Sequence, residues 1–220
     1  MKTPTIHDSL RSHILEVPEE IKNCSGINIF GKNIKSLVFT TDVSIVCNTN
    51  ADAVLAVYPF TPQVKIIRAI LDASDIPVFC GVGGGTTKGP RVINNARGAE
   101  DEGAFGVVVN SPTANEIISE VAKVIEIPVI ATIVSEKEDF EARIKAGTDI
   151  FNVSAAANTP EVVRIIREKY PDMPIIATGG PTAETIKNVI QAGANAVTWT
   201  PPKSSELMAE LMVKYRLSMQ

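Results

Sequence analysis

Three short apolar runs in this chain open on an apolar residue followed by proline: Ile76-Pro77-Val78-Phe79, Ile127-Pro128-Val129-Ile130 and Met173-Pro174-Ile175-Ile176. Proline is tolerated at the first residue of a strand, where no ladder N–H is yet needed. Between them fall runs that open on glycine: Gly103-Ala104-Phe105-Gly106-Val107-Val108-Val109, Gly147-Thr148-Asp149-Ile150-Phe151 and Gly193-Ala194-Asn195-Ala196-Val197. There the glycine closes the preceding helix at positive φ, and a strand follows at once. Asn50-Ala51-Asp52-Ala53-Val54-Leu55 has the same form with asparagine as the stop. The two kinds of opening alternate, each recurring about every 45 to 50 residues, the length of two strand–helix units.

Eight strands are predicted on this pattern: Leu37–Thr40, Val54–Val57, Val78–Gly81, Gly106–Val109, Val129–Thr132, Ile150–Val153, Ile175–Thr178 and Ala196–Trp199. Their near-continuous apolar runs suit a parallel sheet buried on both faces. Helical spacing fills gaps between them, in Val64-Ile67-Ile70-Leu71, Ile117-Val121-Val124, Val162-Ile165-Ile166, Ile186-Val189-Ile190 and Leu207-Leu211-Tyr215. Strand and helix alternate without a break in composition, so one (β/α)8 TIM barrel over residues 36–220 is expected. The 220 residues of the chain are enough, since this fold manages with about 200. A doubly wound open sheet would show a glycine fingerprint after its first strand, where Phe39-Thr40-Thr41-Asp42 offers none. Residues 1–35 form a short N-terminal extension, read as a helix over Asp8 to Glu16 and a hairpin over Ile27 to Ile34 that close the barrel bottom. His7 and His13 fall in this piece, away from the catalytic end, and read as surface or packing residues.

A formal net charge of −4 argues against a general nucleic-acid or anionic-membrane surface, because phosphate backbones are held by Lys and Arg. Met1 to Leu10 has no apolar core of a secretory signal, and no stretch is apolar for long enough to span a bilayer. Cys24, Cys47 and Cys80 are scattered, giving neither a disulfide framework nor metal-ligand spacing. A cytoplasmic protein with no metal or cofactor is expected. Its partner would be a small anionic metabolite rather than nucleic acid or membrane. Exposed apolar helix faces often make barrels dimerise, so a homo-oligomer is admitted.

In this fold the site is built by the loops that follow the strands. The strand ends of this chain offer many neutral hydrogen-bonding groups and few acids or bases. Asp42 is the one acid at the very end of a strand; it reads equally as a general acid/base with a burial-raised pKa or as the N-cap of a following helix. After the third barrel strand runs Gly81-Val82-Gly83-Gly84-Gly85-Thr86-Thr87-Lys88-Gly89. It misses the P-loop pattern, because glycine follows Lys88. Gly83, Gly84 and Gly85 read as a mobile, donor-rich loop that closes as a lid or cradles an anion, against the alternative of a plain surface loop. Lys88 and Lys203 are the lysines placed to neutralise an anion or form an imine, or else they are simply solvated. Asn110 and Asn152 end the fourth and sixth strands among apolar neighbours, where buried amides need partners and a ligand would supply them. Thr178-Gly179-Gly180 ends the seventh strand just before a helix N-terminus, a place that favours an anion, or else it is a tight turn.

The stretch Met173-Pro174-Ile175-Ile176-Ala177-Thr178-Gly179-Gly180-Pro181-Thr182, with Ala192-Gly193-Ala194-Asn195-Ala196 after it, resembles the C-terminal third of 2-keto-3-deoxy-6-phosphogluconate aldolases. It is also similar to the wider ribulose-phosphate-binding barrels. The resemblance implies that Thr178, Gly179 and Gly180 hold a substrate phosphate. Two departures stand out. Where those aldolases carry a Schiff-base lysine, the sixth strand reads Phe151-Asn152-Val153-Ser154. The eighth strand is followed by Pro201 and Pro202, which have no N–H to offer a phosphate.

Two functions are weighed on this footing. The first is an enzyme of lyase or isomerase type acting on a small phosphorylated or carboxylated metabolite. The second is a ligand-sensing barrel without chemistry, resembling the glycerol-responsive antiterminators.

Overall fold

A computed structural model describes Pro4 and residues 14–218. Eight parallel strands close into a barrel: β3 (Ser36–Phe39), β4 (Ala53–Ala56), β5 (Val78–Gly83), β6 (Gly106–Val109), β7 (Val129–Ile133), β8 (Ile150–Val153), β9 (Ile175–Thr178) and β10 (Ala196–Trp199). β10 completes the ring by pairing with β3, Val197 opposite Ser36. The helices are α1 (Val43–Val46), α2 (Val64–Ala73), α3 (Pro90–Asp101), α4 (Asn115–Ala122), α5 (Phe140–Lys145), α6 (Thr159–Lys169), α7 (Ala183–Gln191) and α8 (Ser204–Ser218). This is the TIM barrel expected from the alternation. No helix among the described residues is long and apolar enough to cross a membrane.

The alternation of strand openings has a structural cause. Proline at 128 or 174 leaves the next N–H as the first donor of its strand. The polar residue of the neighbouring glycine-type opening accepts it: Val129 N–H donates to Asp149 Oδ2 at 2.8 Å, and Ile175 N–H to Asn195 Oδ1 at 3.0 Å. Asp52 does the same at the seam before β3, where Oδ2 accepts from the N–H groups of Lys35 and Ser36 at 2.9 Å. Each such bond satisfies a backbone donor that would otherwise be stranded at the barrel rim.

Ahead of the barrel, β1 (Ile27–Ile29) and β2 (Lys32–Ile34) form the expected antiparallel hairpin. Phe30 sits in its turn at φ +46°, rare for a bulky residue. Its ring meets Phe105 edge-on at 5.2 Å, and Phe105 meets Phe79 at 5.8 Å. Ile27, Ile29 and Ile34 pack in one buried cluster with Leu37, Ala53, Phe79, Ile130, Ile150, Ile176 and Ala196, the inward residues at the strand starts. Residues 14–16 are not helical; Leu15 instead bridges to Thr49. The rest of the expected N-terminal helix, with His7 and His13, lies outside the described residues. α8 leaves Met208, Met212, Val213 and Leu217 exposed.

Candidate functional site

Successive side chains of a strand point to opposite faces, so residues two apart share one. The inward residues Leu37, Val108, Ile130, Ile150, Ile176 and Ala196 fill the barrel. Two positions further on, the same pleat delivers Phe39, Asn110, Thr132, Asn152, Thr178 and Thr198 to the mouth. With Leu55, Val57, Ser154 and Thr200 they line a cavity of about 200 Å³. Its lining combines three apolar side chains with amides and hydroxyls. Asn152 Nδ2 donates to Thr132 Oγ1 at 3.3 Å. Asn152 Oδ1 and Thr198 Oγ1 are both buried without a protein partner.

A second cavity of about 170 Å³ adjoins the first and shares Val57 and Asn110 with it. The segment after β4 contributes Tyr58, Pro59, Phe60 and Pro62, and the glycine-rich end of β5 contributes Gly81 to Thr86 apart from Val82. The Tyr58 hydroxyl oxygen accepts from Gln63 N–H at 3.0 Å, which pins that ring. None of the described residues lining either cavity carries a charge. Among the described residues, no group of three or more His, Cys, Asp or Glu is placed to hold a metal.

The segment after β5 is not the free loop expected. β5 runs on to Gly83, and Gly84 to Thr87 close as a turn: Gly84 N–H donates to Thr87 C=O at 3.1 Å and Thr87 N–H to Gly84 C=O at 3.4 Å. The Gly84 N–H, one of the donors expected for an anion, is consumed there, and Thr87 is buried. Gly84 has φ +105°, and a Cβ on it would lie 2.4 Å from Asn110 Cβ, so only glycine lets the turn pass over that asparagine. Gly83 serves packing instead, since a Cβ there would strike Val92 of α3 at 2.5 Å.

The ionisable candidates stand outside the cavities. Asp42 caps α1: its Oδ1 accepts from Ser44 N–H at 2.9 Å and from Ser44 Oγ at 2.6 Å, and its Oδ2 accepts from the Ser204 hydroxyl. These donors, Ser204 first, hold its carboxyl below the usual carboxylate range. A general acid/base needs the opposite shift, so of the two expected roles the surroundings favour the cap. Lys88 and Lys203 are exposed on the loops after β5 and β10. Cys80 is fully buried in β5, and burial pushes its thiol up to about 12.

Thr178 lines the larger cavity, while the glycines after it are used locally. Gly179 N–H donates to Thr198 C=O at 3.0 Å. A Cβ on Gly179 would lie 2.6 Å from Val197 and 2.9 Å from Ile186, so this glycine lets α7 seat against the sheet. Thr182 and Thr185 form a capping box that uses both of their N–H groups. Sequence reasoning did not single out Thr198, which reads as strand interior; the inward alternation Ala196, Thr198, Thr200 is the signal that finds it.

No family model matches the chain. A stretch covering 36% of the chain is 34% identical to inosine-5′-monophosphate dehydrogenase of Halalkalibacterium halodurans, and it covers 20% of that protein. The chain thus spans about a fifth of the curated relative it matches. Among solved structures it is similar to phosphonopyruvate hydrolase in complex with oxalate and Mg²⁺, with a TM-score of 0.63 and 11% identity over 90% of this chain and 84% of that one. It is also similar to 4-hydroxy-tetrahydrodipicolinate synthase of Methylacidiphilum fumariolicum SolV, with a TM-score of 0.59 and 14% identity over 75% and 67% of the two chains. The aldolase QR15 gives a TM-score of 0.57 and 18% identity over 84% and 96%. Likeness at these identities shows a shared barrel fold.

Proposed function

We propose that this chain is a barrel enzyme of lyase or isomerase type acting on a small phosphorylated or carboxylated metabolite bound at the mouth. The observation that carries the reading is the pair of buried oxygens, Asn152 Oδ1 and Thr198 Oγ1, left without protein partners beside one cavity. An unpartnered buried polar group costs about 1–3 kcal/mol, a burden that a bound hydroxyl- or carbonyl-bearing ligand relieves. The amide has an acceptor to offer, and the hydroxyl both donates and accepts. Asn110, Thr178 and Thr200 add further groups around the same space. Neutral donors held in place around a ligand stabilise an oxygen that gains charge as a neighbouring C–C or C–H bond breaks.

Charge comes from outside the cavity in this reading. Lys88 and Lys203 on the loops meet the anionic end of the ligand, and one of them moves the proton. Gly180 sits at the start of the capped helix and offers its N–H to the same anion. Asp42 takes part as a helix cap. The curated relative is by name a dehydrogenase of a phosphate ester, and the similar structures are by name a hydrolase, a synthase and an aldolase. These names support the enzyme class.

The test is a thermal-shift panel of sugar phosphates, glycerol phosphates and 2-oxo acids, followed by NMR of the best binder with catalytic amounts of protein. A ligand at a hundred times its Kd stabilises by about 2.7 kcal/mol, a rise of about 5 to 11 °C for a domain of this size. Binding with product formation supports the proposal. Binding without turnover overturns it in favour of the ligand-sensing barrel, which the uncharged lining also fits. No shift with any compound overturns both.

A further inference from the structure

The smaller mouth cavity is built differently from the larger one. Its outer wall is a run of flat, rigid groups, Tyr58, Pro59, Phe60 and Pro62, and its inner wall is largely bare glycine backbone. Glycines let a flat ligand approach the peptide planes closely, although the Gly84 N–H and the Gly83 and Gly84 C=O groups are already bonded within the fold. Phe60 is 74% exposed, more than any other large apolar side chain among the described residues. A phenyl ring kept in water beside a cavity costs hydrophobic free energy and gains nothing for the fold. The volume of about 170 Å³ is close to the roughly 150 Å³ cavity that holds one benzene ring.

We propose that this cavity is a slot for a single planar six-membered ring with hydrogen-bonding edges, so that the ligand of the mouth is a pyrimidine nucleotide or a compound of that shape. The assignment rests on the mouth being the ligand site and adds to it what lies beyond the phosphate or carboxylate. Phe60 closes over one face of the ring, and aromatic stacking of this kind tolerates any flat heterocycle. Gly85 and Thr86 of the same wall meet the ring edge. Asn110, common to both cavities, stands where the ring joins the rest of the ligand.

Three probes separate the slot from the anion site: uridine 5′-monophosphate, uridine and ribose 5-phosphate, titrated by calorimetry into the wild-type protein, Phe60→Ala and Phe60→Trp. Phe60 is exposed, so both variants keep the fold, which circular dichroism checks. The expected result is that uridine and its monophosphate bind the wild type, lose about 5- to 150-fold in affinity in Phe60→Ala, and recover it in Phe60→Trp. Ribose 5-phosphate is then indifferent to residue 60. Binding of uridine without ribose 5-phosphate supports the slot while the phosphate reading fails. Equal affinity for ribose 5-phosphate and uridine 5′-monophosphate, unchanged in Phe60→Ala, overturns the slot and leaves the phosphate reading standing. Failure of both uridine compounds to bind also overturns it.

Discussion

Replacing Thr198 by valine swaps a hydroxyl for a methyl of nearly the same size. In the ligand-free protein the hydroxyl is buried and has no protein partner, so its loss removes a penalty of about 1–3 kcal/mol. Valine also suits a strand at least as well as threonine. A domain of this length gains about 2–4 °C of Tm per kcal/mol, so Thr198→Val should melt about 2 to 12 °C higher than the wild type. The same change should weaken binding at the mouth. One hydrogen bond to a ligand is worth about 0.5–1.5 kcal/mol net, which is roughly a 2- to 12-fold rise in Kd. Thr148 supplies the control. Its hydroxyl is equally buried and unpartnered, but it precedes β8 at the opposite end of the barrel. Thr148→Val should therefore raise Tm in the same way and leave ligand affinity alone. Differential scanning calorimetry of the three proteins, with and without ribose 5-phosphate, reads both effects. A Thr198→Val protein that melts lower than the wild type, or binds as tightly, refutes the reasoning, because the hydroxyl would then be satisfied within the fold or idle toward the ligand.

Gly84→Ala and Gly85→Ala form a matched pair at positive φ. A Cβ at Gly84 collides with Asn110 at 2.4 Å, whereas one at Gly85 meets nothing within 4 Å. Both carry a backbone cost of about 1–2 kcal/mol, and overpacking adds about 1–3 kcal/mol at Gly84 alone; chemical denaturation should rank Gly84→Ala well below Gly85→Ala, and equal midpoints would count against the close approach. Asp42 has a depressed pKa, caused first by the Ser204 hydroxyl. Its contribution is present above the ordinary value of 3.8 and is lost as pH falls through the lower folded-state value. The Tm advantage of the wild type over Asp42→Asn should thus hold at neutral pH and shrink below about pH 4; an advantage that persists in acid would contradict this. Of the three cysteines, Cys47 is exposed while Cys24 and Cys80 are buried with thiols pushed up to about 11 and about 12. A thiol reagent should label one cysteine quickly in the native protein and all three in denaturant, and fast labelling of two would show that the barrel opens.

Much of the barrel is legible because its parts are local. The strands over Gly106–Val109, Ile150–Val153, Ile175–Thr178 and Ala196–Trp199 fall where their glycine and proline openings place them. β5 is longer than its apolar run, because Gly81-Val82-Gly83 continues the ladder through a register shift against β6. Glycine has no strand propensity to announce this; pairing with a neighbour decides it. α3 gives a weak periodic signal for a related reason. Its buried face is Val92, Asn95, Ala96 and Ala99, small or polar residues that fit against β5 and are fixed by contacts such as Asn95 Nδ2 donating to Val82 C=O at 3.2 Å. α5 has six residues, too few to show a period.

The site divides along a different line. Asn110, Asn152 and Thr178 can be reached from sequence because a barrel puts strand ends at its working face. Thr198 reads as strand interior, and the alternation from Ala196 becomes a site signal once the closed ring sets it beside Thr178 at the mouth. Asp42, Lys88 and Lys203 attract notice for their charge, yet burying a charge in a small cavity is costly unless a partner comes with it. Asp42 is satisfied by two serines at a helix start, and the lysines are exposed to solvent. What the barrel encloses is instead a set of amides and hydroxyls whose individual signals are faint, because Asn and Thr occur in many turns and surfaces. Their meaning comes from convergence. Five inward positions, Asn110, Thr132, Asn152, Thr178 and Thr198, present a polar layer directly above an apolar one, and two atoms of that layer lack any bond within the fold. Single unpaired hydroxyls also occur away from the mouth, as at Thr148, so it is the convergence of two such atoms on one cavity that supports the proposed ligand site.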